Sequence, residues 1–250
     1  MTASERIRSE RLRADRLLVE RGLFDSRAKA QAAIEAGLVT ANGATVRKAA
    51  EEIARDAELK ASPAHPYVSR GGVKLAAALD HFAIDPQGLV CLDVGASTGG
   101  FTEVLVRRGA RRVHAVDVGK AQLHASLRGR PEIVSLEETD IRMLPASAFA
   151  EPPRLVTIDV SFISLKQVLP AVTALAAPAA TLVALVKPQF EAGRERVKKG
   201  VVRDAAVHKS VCDDVAAVAA SLGWRVLGII PSPIAGGDGN AEFLLAATRG

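Results

Sequence analysis

The run Leu92-Asp93-Val94-Gly95-Ala96-Ser97-Thr98-Gly99-Gly100-Phe101 joins an apolar strand pattern, a carboxylate, a small-residue turn and the start of a helix. A second apolar run, Val113-His114-Ala115-Val116, ends in Asp117, 22 residues after Gly95. That pairing suits a nucleotide-like ligand. Small residues let the ligand approach the backbone, and the later carboxylate can accept hydrogen bonds from ribose hydroxyls. The glycines depart from G-x-G-x-x-G, which argues against a dinucleotide and leaves room for an adenosyl ligand without a pyrophosphate. Two other readings of these residues stand beside it. Gly95-Ala96-Ser97-Thr98-Gly99 matches the G-x-S-x-G nucleophile elbow, although an elbow follows several strands and this one would follow the first of its domain. A glycine-rich turn with no ligand is the plainest reading of so short a motif.

Polar residues recur at the ends of the other apolar runs. Asp93 and Asp117 end the first two, Asp140 follows the third, Asp159 ends the fourth, Lys187 ends the fifth, and Glu242 lies on the last. One such carboxylate would often be a helix cap; their convergence on one rim is the stronger signal. Lys187 directly follows Leu182-Val183-Ala184-Leu185-Val186 and precedes Pro188, so its stem should be buried with the amine at the rim. A buried lysine tends to lose its proton, and Lys74 or a cationic cofactor would push the same way, while Asp159 would oppose the shift but orient the amine. Lysine ordinarily titrates near ~10.4, so a substantial depression must precede any role as a base. A lysine that simply snorkels to solvent is the bland alternative.

These residues need elements to hold them. From Leu89 onward strand and helix patterns alternate, with strands expected at 89–94, 112–117, 133–137, 154–159 and 180–187. A helix is expected over about 205–222, and Trp224 to Pro231 and Ala241 to Thr248 make two final strands around Gly236-Gly237-Asp238-Gly239. Such alternation implies an α/β, doubly wound, mostly parallel sheet, with ligands at the carboxyl ends of its strands. The first 62 residues differ. A helix is expected from about Ser9 to Arg21 and ends at Gly22; a second starts at an N-cap, Ser26, and closes at Gly37. Leu38-Val39-Thr40, Asn42-Gly43 and Ala44-Thr45-Val46 read as a hairpin. Residues 63–67 lie in a proline-broken linker, and Ser69-Arg70-Gly71-Gly72-Val73-Lys74-Leu75-Ala76 opens a helix.

Composition narrows the function classes. Net charge is +5, with ten Lys/Arg against six Asp/Glu through Lys48 and six against two over 187–203. Two separated basic patches suit a polyanion touched in two places. Arg27 and Lys29 fall in the first turn of the second helix, where cations are locally unfavourable unless an anion such as phosphate sits there; solvated charges are the alternative. The two cysteines, Cys91 and Cys212, make no disulfide framework and fall in apolar patterns, which suits a reducing cytoplasm. Residues 167–186 carry no charge, but Pro170 and Pro178 interrupt them. A short helix and a buried strand are expected there rather than a bilayer span of about 20 apolar residues. The start of the chain lacks a signal-peptide core, and no Cys/His cluster suggests a metal.

Residues 11–60, with Arg13-Ala-Asp15-Arg16, Arg21-Gly22, Ser26-Arg27-Ala-Lys29, Ile34-Glu-Ala-Gly37 and Asn42-Gly43, resemble the S4 domain, a small α+β RNA-binding module. The resemblance implies RNA contact through Arg13, Arg16, Arg21, Ser26, Arg27 and Lys29. Lys74, Asp159, Lys187 and Glu242 resemble the Lys-Asp-Lys-Glu tetrad of FtsJ-like ribose 2'-O-methyltransferases. The runs around them, with Asp93 to Thr102, Asp159-Val-Ser161-Phe162-Ile163-Ser164, Lys187-Pro188-Gln189-Phe190-Glu191 and Gly239-Asn240-Ala241-Glu242, are similar to the TlyA family. That family joins an S4 domain to an FtsJ-like methyltransferase and is described both as hemolysins and as ribosomal RNA methyltransferases. The resemblance implies a class I (Rossmann-like) methyltransferase domain over 68–250, with a seven-stranded mostly parallel sheet, after an S4-like domain over 1–62. It implies S-adenosylmethionine as cofactor and a cytidine of ribosomal RNA or its subunits as substrate, with no metal and no stable membrane association. Asp93, Gly95, Ser97, Thr98, Gly99, Gly100 and Phe101 would border the cofactor, with Asp117 at its ribose and Asp140 near the adenine. Lys187 would take or polarise the hydroxyl proton, Asp159 would hold that lysine, and Lys74 and Glu242 would place the ribose. A membrane-acting hemolysin and an RNA-binding protein with an inert methyltransferase domain are the rival functions.

Overall fold

In a computed structural model of the chain, residues 10–236 and 239–250 are described, so Ser9, Gly237 and Asp238 lie outside the described residues. The chain divides into two compact units, Met1–Pro66 and Tyr67–Gly250.

In the first unit β1 (Arg11–Arg13) leads into α1 (Ala14–Glu20), and α2 (Arg27–Glu35) follows. The single helix expected from about Ser9 to Arg21 therefore begins only at Ala14. Arg11–Arg13 is instead extended and pairs antiparallel with β4 (Glu52–Ala54), Leu12 opposite Ile53. A tertiary partner distant in sequence overrides local helical preference here. β2 (Val39–Ala41), β3 (Ala44–Thr45) and β5 (Leu59–Ala61) form the other sheet, ordered β3-β2-β5. Ala14, Leu17 and Leu18, at helical spacing, are buried with Phe24, Ile34, Val39, Val46 and Ile53.

The second unit starts with α3 (Gly71–His81), β6 (Val90–Val94), α4 (Gly100–Arg107), β7 (Arg112–Val116) and β8 (Ile133–Leu136). It continues with β9 (Leu155–Ile158), α5 (Leu165–Leu175), β10 (Ala180–Val186), α6 (Pro188–Glu191), α7 (Ala205–Ser221), β11 (Arg225–Pro231) and β12 (Phe243–Arg249). The strands form one seven-stranded sheet ordered β11-β12-β10-β9-β6-β7-β8. β8, β7, β6, β9 and β10 pair in parallel, and β12 runs antiparallel to both β10 and β11.

Side-chain alternation explains the two helical layers. Leu92, Val94, Val156, Ile158, Leu182 and Ala184 face α5 and α7, where Leu165, Val168, Leu169, Val211 and Val215 meet them. Cys91, Val113, Leu155, Val183 and Leu185 face α3 and α4, where Leu75, Leu79, Phe101, Val104 and Leu105 pack. Both faces of the central strands are covered, which is why they read as continuous apolar runs. Pro170 lies inside α5, and among the described residues no helix is long and apolar enough to cross a membrane. The chain runs from β6 outward to β8, then returns to place β9 on the other side of β6. This reversal opens a crevice at the carboxyl ends of β6 and β9.

Leu92 is fully buried on the central strand. Leu92→Ala should cost about 2–5 kcal/mol of stability, read as a fall in the urea midpoint for the second unit without a change in slope.

Candidate active site

The crevice is a cleft of about 610 Å³ whose walls come from the segments after four neighbouring strands: Gly95 and Ser97, Asp117 and Val118, Asp140 to Arg142, and Asp159 to Ile163. Its size falls within the ordinary range for a small-molecule site. Gly95 has φ +81°, and a Cβ there would overlap the Asp159 carbonyl, so only glycine lets these two strand ends meet. Ser97 also has positive φ, +47°, and its backbone N–H donates to Asp117 Oδ2 at 2.8 Å. Asp117 Oδ1 accepts from Gly119 N at 2.7 Å. The carboxylate is thus fixed in the wall, with lone pairs left for vicinal hydroxyls. Beyond it, Glu137 accepts the backbone N–H groups of Ala121, Gln122 and Leu123 and pins the following loop. Asp140 caps the turn at Ile141–Met143, and the Arg142 guanidinium at 2.6 Å holds its carboxyl below the usual range.

Other residues expected around the ligand lie elsewhere. Asp93 is fully buried and does not line the cleft; it accepts from Thr102 Oγ1 at 2.6 Å and Thr157 Oγ1 at 3.0 Å. Burial pushes its carboxyl up to about 7, with the two threonines pulling down and Asp159 adding to the rise. Thr98, Gly99, Gly100 and Phe101 do not line the cleft either. Gly99, at φ +91°, caps α4 and leaves space for Leu123 and Leu127, Gly100 makes room for Ser69, and Phe101 is buried under α3. The glycine run is spent on packing the helix close to the sheet as well as on the ligand turn.

At the cleft's edge Lys187 Nζ lies 2.6 Å from Asp159 Oδ1 and donates to Ser161 Oγ at 2.9 Å. The side chain of Lys187 is 10% exposed, so the expected buried stem is observed. Lys74, in the first turn of α3, is ion-paired with Glu242, and both are buried. The pairing of Val186 with Phe243 puts Lys187 and Glu242 at the same edge of the sheet. Gly236 makes way for the Glu242 carboxylate; a Cβ there would overlap it. Two lysine–carboxylate pairs, Lys74–Glu242 buried and Lys187–Asp159 partly so, therefore stand at one edge of the sheet beside β9, β10 and β12. Ser161 and Phe162 were not singled out from the sequence. Phe162 is 92% exposed at φ +64°, with its ring 5.1 Å from that of Phe190. The signal was present in the apolar residue interrupting Asp159-Val-Ser161-Phe162-Ile163-Ser164, but exposure is a tertiary property. Among the described residues no cluster of three His, Cys, Asp or Glu side chains could hold a metal ion. Cys91 and Cys212 are buried, and burial pushes their thiols up to about 12 and about 11.

The first unit has its own polar centre. Asp15, 0% exposed on its side chain, accepts from Arg13 at 3.0 Å, Arg27 at 2.7 Å and Gln31 at 2.8 Å. Arg13 above all, then Arg27 and Gln31, holds this carboxyl far below its usual range. Ser26 caps α2 through Lys29 N, and Lys29 pairs with Asp25. The carboxylates of Asp15 and Asp25 thus offset the cations that the α2 dipole disfavours. Arg16 and Arg21 are exposed, and Arg21 donates to the Arg55 carbonyl.

A seven-stranded sheet with one reversed strand, and a cleft at its switch point, defines the class I methyltransferase fold. The FtsJ-like methyltransferase profile matches residues 67–249, and the S4 domain profile matches residues 12–59. YqxC of Bacillus subtilis, named as a candidate rRNA methyltransferase, is 47% identical over 229 residues, 90% of this chain and 81% of that protein. TlyA of Mycobacterium tuberculosis, named a 16S/23S rRNA (cytidine-2'-O)-methyltransferase, is 45% identical over 228 residues, 90% of this chain and 85% of that one. A solved structure from Streptococcus thermophilus that carries the hemolysin name has a TM-score of 0.77 at 43% identity, covering 96% of this chain and 88% of that one. The chain belongs to the TlyA family of S4-bearing, FtsJ-like methyltransferases.

Asp93 offers a pH test. Its carboxyl is raised from 3.8 to about 7, so the folded state holds a proton that the unfolded state has lost between those values. Stability from this residue is full below the lower value and falls as pH rises through about 7. Asp93→Asn removes the titration, so wild type should lose melting temperature relative to the variant between about pH 4 and pH 7. Parallel melting curves across that range would show the carboxyl does not titrate there.

Proposed function

We propose that this protein transfers a methyl group from S-adenosylmethionine to the 2'-hydroxyl of a cytidine in ribosomal RNA, in the cytoplasm where ribosomes are assembled. The observation that carries this reading is the juxtaposition of Lys187 and Asp159, 2.6 Å apart at the rim of an adenosyl-sized cleft. When bound, the cofactor supplies an electrophilic methyl group on a sulfonium. Asp117 would hold its ribose hydroxyls, the Gly95–Ser97 turn would lie along its methionine portion, and the Asp140–Arg142 turn would flank its adenine.

Lys187 Nζ polarises the attacking 2'-hydroxyl, or takes its proton after passing one of its own to the neighbouring Asp159 carboxylate, with Ser161 fixing its direction. Bound there, the cofactor would give its methyl group to that oxygen and keep the electron pair of the broken carbon–sulfur bond as a thioether. Lys74 and Glu242, locked to one another, present a rigid polar wall for the ribose. Holding the hydroxyl in line with the methyl group supplies much of the rate. The exposed ring of Phe162 gives an unpaired base a stacking surface beside the cleft. Arg13 and Arg27, splayed from Asp15, and Arg16, Arg21 and Lys29 supply a second RNA contact on the S4 unit. The hemolysin reading has no support from a membrane-crossing helix among the described residues.

Lys187→Ala should lower methyl transfer about 100-fold or more, the range of a general base, while cofactor affinity by calorimetry stays nearly unchanged. Unaltered turnover in that variant would remove Lys187 from the chemistry. Mapping ribose methylation across total ribosomal RNA, with and without the protein, tests the substrate: one or a few cytidines should lose the mark.

A further inference from the structure

Residues 187–203 hold six Lys/Arg against two Asp/Glu, and the centre described above uses only Lys187. Arg196, Lys198, Lys199 and Arg203 are all exposed, and among the described residues none of their side chains makes an ion pair or hydrogen bond. Some other surface cations on this unit find partners, as Arg142 does with Asp140, Lys166 with Asp214 and Lys209 with Asp213; Arg70, Arg112 and Arg154 do not among the described residues, but they do not line this cavity. The free cations line one cavity of about 680 Å³ with Val201, Asp204 and Val207. Asp204 is its one carboxylate, and it is engaged in capping α7 through Ala206 N at 2.8 Å.

This cationic patch is held in shape. Lys198 and Val201 pair across a tight turn in which Lys199 has φ +51° and Gly200 φ +79°. Asn240, buried, donates to the Gly200 carbonyl at 3.0 Å and accepts from Val202 N at 3.3 Å. Asn240 lies two positions before Glu242, so one segment fixes both the hairpin and the lysine–carboxylate wall. A third cavity, of about 490 Å³, shares Phe162, Ile163 and Gln167 with the adenosyl cleft and reaches Phe190 and Val197. Val197 sits between Arg196 and Lys198 of the basic cavity. The third cavity, which shares residues with the adenosyl cleft, thus ends at a residue flanked in the chain by two of the basic cavity's cations.

We propose that the Lys198–Val201 hairpin, with Arg196 and Arg203, is a phosphodiester-binding subsite that grips the RNA strand as it leaves the target ribose. The proposal rests on the methyl-transfer reading above and adds the position of the backbone. Clustered like charges repel in the free protein, and phosphates that replace their counterions gain affinity in proportion to the contacts made.

The test uses the full chain and a ribosomal RNA fragment that the wild type methylates. Lys198→Ala/Lys199→Ala/Arg203→Ala should raise the KM for RNA about tenfold, and the salt slope of log affinity should fall by about 2, from ~0.7 per lost single-strand phosphate contact. Cofactor affinity and melting temperature should stay at wild-type values, and Lys198→Arg/Lys199→Arg/Arg203→Lys should restore the slope. A folded triple alanine variant with unchanged KM and slope overturns the subsite and leaves methyl transfer standing. A wild type that binds cofactor yet methylates no ribosomal RNA overturns the parent reading instead. If the triple variant melts early, Lys199→Glu at the exposed hairpin tip gives the same readout, and an unchanged slope there is equally fatal.

Discussion

The close approach of Gly95 to the Asp159 carbonyl is the constraint on which the site depends. β6 and β9 are neighbours only because the chain reverses its direction of growth between them. Their carboxyl ends can meet only where one of them carries no side chain, and Gly95 provides that place. The meeting sets Asp159 in the wall of the cleft. Strand pairing then does the rest: β10 beside β9 delivers Lys187 to Asp159, and β12 beside β10 delivers Glu242 to Lys74.

Buried charge is handled in the same way in both units. Asp15 in the first unit and the Lys74–Glu242 pair in the second are desolvated, the Lys187–Asp159 pair partly so, and each is matched by opposite charge or hydrogen-bond donors. Desolvating a charge without a partner is costly, whereas a matched pair fixes side-chain position. The Asp15 cluster holds two half-exposed guanidiniums in place; the other pairs hold amines at a reacting centre. Asp93 is the exception. Answered by two threonine hydroxyls and no cation, its carboxyl is pushed toward neutrality and braces the strand ends from within.

The alternation of Leu92-Asp93-Val94 and its counterparts made the central strands legible, because burial on both faces leaves a continuous apolar run. The same strands were easily bounded, since charged or small residues mark their ends. The first helix was misread at its start because the antiparallel partner of Leu12 is Ile53, 41 residues away. No local pattern carries that pairing. The packing tasks of Gly99 and Gly100 were not legible for a related reason: a glycine that admits a ligand and a glycine that admits Leu123 look identical in sequence. Ser161 and Phe162, quoted only as part of a matching run, were given no role because a hydroxyl beside a lysine and a ring turned to solvent are facts of placement.

What the sequence determined by itself was the order of strands in the second unit, the polar residue at each strand end and the two families of motif, because periodicity and residue type are written locally. The tertiary structure alone decided which carboxylate meets which lysine, that Asp93 lies beneath the cleft rather than in it, and that Arg196, Lys198, Lys199 and Arg203 find no partner among the described residues and line one cavity. Those outcomes follow from strand order and packing, which bring together residues as far apart as Lys74 and Glu242 and so cannot be read from neighbours along the chain.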